Sequence, residues 1–254
     1  MNIRRALVNA VLKTLLNTLC EIDATEFVGA LRSVIYGTGN RPLGNCSPGT
    51  GSGLAGGPGG GAFPPKPMIL AINHINFLEV PILVTHSYPL LLTGLVKSET
   101  WKNPIMAFLF DTYQAIPINR NGSYLQTFRS VREAIKKGFF VCIAPEGSRS
   151  KNGILRRGKA GVVQLALIAG VPVLPVVHFG GEKIWDNLRH FRRTPFRFRV
   201  GRPFRFKCEG RPSRAIRESM LTELMGQMAA LLPEEMRGDY AEQARQECKY
   251  LEFL

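Results

Sequence analysis

The chain has 254 residues, enough for one α/β domain with a full core. With 45% hydrophobic residues and fifteen phenylalanines, it is not a disordered chain. A formal net charge of +14 points to polyanionic partners: nucleic acid, phosphorylated substrates or an anionic membrane leaflet.

Five cysteines are scattered at positions 20, 46, 142, 208 and 248. They form no Cys-x-x-Cys pair and lie far in sequence from the histidines, so no metal template is expected, and free thiols in a reducing compartment are. No apolar run reaches the roughly 18 uncharged residues of a spanning helix. The longest, 160–177, is interrupted by Gln164, Pro172 and Pro175. The N-terminus is basic and apolar, but Lys13 interrupts it and no small-residue cleavage site follows, so a signal peptide is not expected.

Residues 2–20 carry Ile3, Leu7, Ala10, Val11, Leu15 and Leu19 near helical spacing, with Arg4, Arg5 and Lys13 among the polar positions. Such a cationic amphipathic helix suits either a membrane interface or packing on its own domain. A second helix is expected over about 24–36, which makes 1–36 an N-terminal helical, membrane-docking segment. Residues 37–67 are rich in glycine, proline and serine and read as a flexible loop. From 68 to 254 the chain reads as one α/β domain. Strands are expected at 68–72, 91–96, 114–118, 139–144 and 172–178, and helices at about 77–87, 101–111, 123–137 and 158–169. That alternation predicts a mixed, largely parallel sheet flanked by helices. Two more strands, 195–200 and 203–207, are expected to be joined tightly through Gly201-Arg202. Helix 213–232 follows, with Ser213 as its cap, and then a helical tail.

Four stretches place reactive side chains at strand ends, where α/β sheets form ligand crevices. In Asn73-His74-Ile75-Asn76-Phe77-Leu78-Glu79 a histidine precedes a carboxylate by five residues. Histidine is suited to take and return a proton, and a carboxylate can fix its tautomer. In a regular helix positions five apart point about 140° away from each other, so the two meet only if 74–76 is a turn. Asn76 as N-cap would allow that, but Glu79 then also suits a capping box. The second stretch, Ile116-Pro117-Ile118-Asn119-Arg120, and the third, Pro145-Glu146-Gly147-Ser148-Arg149-Ser150, bring arginines whose planar forks suit phosphate oxygens. A structural ion pair between Arg120 and Glu146 is the plainer alternative. The fourth, Val171-Pro172-Val173-Leu174-Pro175, is a strand bracketed by prolines.

In this order the four stretches resemble the glycerophospholipid acyltransferases of the 1-acylglycerol-3-phosphate acyltransferase type. The linking text, Lys97-Ser98-Glu99 and Gly158-Lys159-Ala160-Gly161, is similar too, and the likeness covers about 66–207. The resemblance implies transfer of a fatty acyl group from acyl-CoA or acyl carrier protein to a lysophospholipid hydroxyl, most simply 1-acylglycerol-3-phosphate giving phosphatidic acid. It implies His74 as general base oriented by Glu79, with Arg120, Glu146, Gly147, Ser148 and Arg149 at the glycerol-phosphate end. It requires no metal and no cofactor beyond the thioester co-substrate.

Two positions depart from the family pattern. Ser148 stands for the usual threonine, and Glu79 for the usual aspartate, which lengthens the reach to His74. Other lyso-lipid or glycolipid acceptors remain open, as does a catalytically idle membrane-binding relative. Nucleic-acid binding is disfavoured, because alternating Phe and Arg at 196–199 describe a strand with one buried and one solvated face. The basic surplus and the cationic first helix predict a peripheral or monotopic protein on the cytoplasmic face of an anionic membrane.

Overall fold

The computed structural model describes residues 3–36, 66–118 and 124–254. Most of the glycine-rich stretch, and residues 119–123 including Arg120, lie outside the described residues.

The strands are β1 (Cys20–Asp23), β2 (Ile69–Ile72), β3 (Leu92–Lys97), β4 (Ile116–Ile118), β5 (Phe140–Ile143), β6 (Val173–Phe179), β7 (Thr194–Val200), β8 (Phe204–Phe206) and β9 (Leu251–Phe253). They form one sheet in the order β1-β7-β6-β2-β5-β3-β4, with β8 pairing β6 and β9 pairing β8. The run β6-β2-β5-β3-β4 is parallel throughout, while β7 and β8 run antiparallel to β6. The expected mixed, largely parallel sheet is therefore present.

Among the described residues eight α-helices flank it: α1 (Ile3–Leu19), α2 (Thr25–Tyr36), α3 (Glu79–Ser87), α4 (Pro104–Thr112), α5 (Tyr124–Lys136), α6 (Gly161–Ala169), α7 (Ile184–Arg189) and α8 (Arg214–Leu231). β2 and β5 are apolar without interruption because both faces of a parallel sheet are covered. Successive side chains divide between the faces: Ile69 and Ala71 join the α5, α6 and α8 side, Leu70 and Ile72 the α1, α2 and α3 side. Ser213 Oγ accepts from the Ile216 amide at 3.2 Å and starts α8 as expected.

β7 and β8 are joined tightly as expected, but they do not pair with each other; they lie one after the other along the same edge of β6, opposite Val176–Phe179 and Val173. Gly201-Arg202-Pro203 carries the chain onward rather than back, and Pro203 has no amide hydrogen for a ladder. The tail is not one helix but three short 3₁₀ turns followed by β9. Finally, Cys20–Asp23 add β1 to the sheet beside β7, so the N-terminal segment shares the domain's sheet and core.

α1 is turned opposite to the usual sense. Its inward face carries Arg5, Asn9 and Leu16. Arg5 Nη2 donates to the Leu92 carbonyl at 3.0 Å and its guanidinium lies over the Tyr113 ring, while Asn9 meets the Thr85 carbonyl and the Tyr113 hydroxyl. The apolar stripe Ile3, Leu7, Val11 and Leu15 faces out, 54 to 85% exposed.

Candidate active site

β5, β2 and β6 are neighbours and parallel, so the chain leaves all three at one edge of the sheet. That edge gathers the loop 73–78, the loop 144–160 and the end of β6. Asn73 joins the first to the third: its Nδ2 donates to the His178 carbonyl at 2.9 Å and its Oδ1 accepts from the His178 amide at 2.8 Å. The side-chain amide extends the β2–β6 ladder where the two backbones diverge.

His74 follows, its backbone clamped by the loop after β5. Its amide donates to Glu146 Oε1 at 2.7 Å, and its carbonyl accepts from the Ser150 amide at 2.7 Å. Its imidazole is 26% exposed, and Nδ1 contacts Glu79 Oε1. The carboxylate accepts, so Nδ1 carries the proton and the lone pair of Nε2 remains for another partner.

Glu79 opens α3 and is 1% exposed. Its Oε2 accepts from the Asn76 amide at 2.9 Å and the Ile75 amide at 3.2 Å, while Asn76 Oδ1 accepts from the Leu78 amide at 2.7 Å. The turn required over 74–76 is present. The expected Asn76 cap is not formed, since α3 starts at Glu79 with Leu78 as its N-cap and no side-chain cap; Glu79 instead ties down the loop before the helix through Oε2 while Oε1 meets His74.

One neighbour was not anticipated from the sequence. His178 Nε2 lies 3.0 Å from Glu79 Oε2, in a contact too bent for an ideal hydrogen bond. The signal was visible: His178 is the one titratable side chain in the otherwise apolar run 171–179.

Burial pushes the Glu79 carboxyl up, but the His178 ring and hydrogen bonds from both histidines outweigh it and hold it down to about 2. A carboxyl held below its ordinary 4.5 stabilises the fold above that value, and the stability is lost as pH falls toward about 2. Denaturation midpoints should therefore drop steeply between pH 4.5 and 2, and Glu79→Gln should flatten that slope from a lower baseline. Equal slopes in the two proteins would remove Glu79 as the cause.

Glu146 is 2% exposed, with Oε2 accepting from the Arg156 amide at 2.9 Å. It faces the loops and spans His74 and Arg156. Burial pushes its carboxyl up, opposed by those two backbone donors. Gly147 sits at φ +66°, a conformation that favours glycine, with the Lys159 side chain packed beside it. The Arg156 Nη1 donates to Ser148 Oγ at 3.1 Å and to the Arg149 carbonyl at 3.2 Å. Arg149, Arg156, Arg157 and Lys159 are all exposed on this loop, so the third stretch presents a cationic surface. Arg156 was not singled out from the sequence. Arg120 lies outside the described residues. Among the described residues no group of three or more His, Cys, Asp or Glu side chains is placed to hold a metal ion.

Residues 60–178 match the Acyltransferase family model. Over 122 residues the chain is 30% identical to a chloroplastic 1-acyl-sn-glycerol-3-phosphate acyltransferase of Brassica napus, covering 46% of this chain and 34% of that protein. Over 123 residues it is 31% identical to a 1-acyl-sn-glycerol-3-phosphate acyltransferase of Pseudomonas aeruginosa, covering 47% of each. An N-acylphosphatidylethanolamine synthase of Arabidopsis thaliana is 30% identical over 145 residues, 51% of this chain and 50% of that one. The chain thus spans about a third to a half of the length of these relatives.

Proposed function

We propose that this chain, whose residues 60–178 match the Acyltransferase family model and which is similar to 1-acyl-sn-glycerol-3-phosphate acyltransferases, moves a fatty acyl group from a thioester, acyl-CoA or acyl carrier protein, to the free hydroxyl of 1-acylglycerol-3-phosphate, giving phosphatidic acid. His74 Nε2 takes the proton of the acceptor hydroxyl as its oxygen attacks the thioester carbonyl carbon. The C–S bond then breaks, and the thiolate recovers the proton from His74. Glu79 keeps the Nδ1–H tautomer in place and steadies the imidazolium between the two transfers. The carrying observation is the partly exposed His74 imidazole, with Nδ1 on a buried carboxylate. The cations on 149–159 supply the charge for a phosphate head group, with Arg120 as a further candidate from the sequence.

The test is a purified preparation supplied with labelled acyl-CoA or acyl carrier protein thioester and a panel of lyso-lipids. Label in phosphatidic acid is the expected product. No product from any pair would end the acyl-transfer reading. A second reading keeps the reaction and changes the acceptor; the similarity to an N-acylphosphatidylethanolamine synthase favours including amine-bearing lipids in the panel.

The acceptor lives in a bilayer, and the outward apolar stripe of α1 suits docking on one. A second apolar patch lies three residues past His74, where the exposed Phe77 and Trp185 rings meet at 5.7 Å. Truncating α1 would remove the buried Arg5, Asn9 and Leu16, so substitution is the cleaner probe. Leu7→Ser, Val11→Ser and Leu15→Ser together should release the protein from phosphatidylglycerol-containing vesicles in flotation, with the far-ultraviolet spectrum unchanged. Undiminished flotation would count against docking through α1.

A further inference from the structure

His178 occupies the buried end of β6 and is 0% exposed. Its ring lies between Phe196 and Phe198 of β7, at centroid distances of 6.1 and 5.7 Å. Its backbone is tied on both sides to Asn73, the residue before His74. Neither ring nitrogen makes a well-aligned hydrogen bond among the described residues, and the nearest partner is Glu79 Oε2, 3.0 Å from Nε2. An imidazole among phenylalanines costs desolvation, and a valine or phenylalanine would suit the surrounding apolar strand better. Its one polar contact is with the carboxylate that serves His74.

We propose that His178 is a positioning residue for acyl transfer: its Nε2–H holds Oε2 of Glu79 so that Oε1 stays aligned with His74 Nδ1. The inference rests on His74 as the base. It accounts for a glutamate at position 79. Glutamate has one more rotatable bond than aspartate, and a freely turning carboxylate would spend little time in line with the imidazole. Two amide hydrogen bonds on Oε2, from Ile75 and Asn76, and the His178 ring nitrogen packed 3.0 Å away remove that freedom. The carboxylate thus lies between two imidazoles, the buried one fixing it and the half-exposed one using it.

The other titratable groups facing this cluster are Glu146 from the loop after β5 and Cys142 of β5. Burial first, and then the Glu79 charge, pushes the Cys142 thiol up to about 12, so it stays neutral through the working range.

His178→Phe keeps the aromatic stack and removes the donor. His178→Gln places an amide near the position of Nε2, and His178→Asn has an amide too short to reach Glu79. Expected is a fall in kcat of about tenfold to a hundredfold for Phe and Asn, recovery to within about threefold of wild type for Gln, and KM for the acyl donor unchanged in all three. Without the donor, more negative charge remains beside His74, so the acidic limb of kcat/KM should move to higher pH in the Phe and Asn variants. The downfield proton resonance of His74 Nδ1–H should shift or broaden in the same two variants and stay sharp in Gln. Should the Phe variant not fold, the Gln–Asn contrast carries the test. Wild-type kcat and an unmoved limb in Phe or Asn would overturn the proposal, as would Gln being as impaired as Asn. The resonance needs no turnover: a wild type without acyl transfer ends the functional reading, whereas a resonance indifferent to position 178 ends this one.

Discussion

Replacing His74 by alanine should lower acyl transfer by about a hundredfold to ten-thousandfold, the span of a positioned general base. The fold should survive, because His74 is tied in by its backbone. Its amide bonds to Glu146 and its carbonyl to the Ser150 amide, and neither bond depends on the ring. The imidazole itself is partly exposed, so its loss leaves no large apolar cavity. Glu79 loses one donor but keeps the Ile75 and Asn76 amides and the His178 ring. The measurement is kcat with the best donor and acceptor from the panel, beside a thermal melt. A near-wild-type melt with background turnover is the expected pair. Equal turnover in wild type and variant would show that His74 is not the base, and equal background rates with every donor would favour an idle membrane-binding protein.

Changing Glu79 should damage both activity and stability. Its two oxygens face the ring of His74 and the amides of Ile75 and Asn76, with the His178 ring nitrogen 3.0 Å away. In Glu79→Gln, whichever way the amide turns, its NH₂ meets donors where acceptors are needed. Breaking so buried a set is expected to cost about 3 kcal/mol or more, and the misoriented His74 should lose up to about ten-thousandfold in kcat, as a triad does when its carboxylate becomes an amide. Glu79→Asp is the finer probe. It installs the residue usual in the family that the motifs resemble, yet the shorter side chain cannot keep both His74 and His178 within reach. About a hundredfold loss of kcat with a smaller loss of stability is expected. An aspartate variant as active as wild type would show that the loop adjusts, and that the longer side chain carries no function here.

Much of the sheet was legible because its signal is local. β2, β5 and β6 are short apolar runs bounded by turn residues, and they lie where expected. The elements that were missed depend on partners distant in sequence. β1 is four residues, Cys-Glu-Ile-Asp, and becomes a strand by pairing with Thr194–Arg197. β9 forms on the edge of β8 in the same way, and no periodicity marks it beforehand. β7 and β8 alternate as strands should, but whether they turn back or run on was settled by β6, the neighbour that both share. In α1 the helical spacing was readable while its direction was not. The polar residues turn inward because Leu92, Thr85 and Tyr113 supply partners for Arg5 and Asn9.

The candidate site divides along the same line. Sequence alone determined the types of side chain at strand ends: a histidine with a carboxylate five residues on, a Pro-Glu-Gly turn and its arginine, in an order that resembles the acyltransferase pattern. Order and spacing are one-dimensional, and they reach no further. Only the tertiary structure decided that Glu146 turns inward to hold the His74 backbone, that Arg156 folds back over Ser148, and that a histidine 99 positions beyond Glu79 shares its carboxylate. The physical reason lies in the sheet order β5-β2-β6, which brings three strand ends together at one edge. A carboxylate with two oxygens then serves two partners that the sequence keeps far apart.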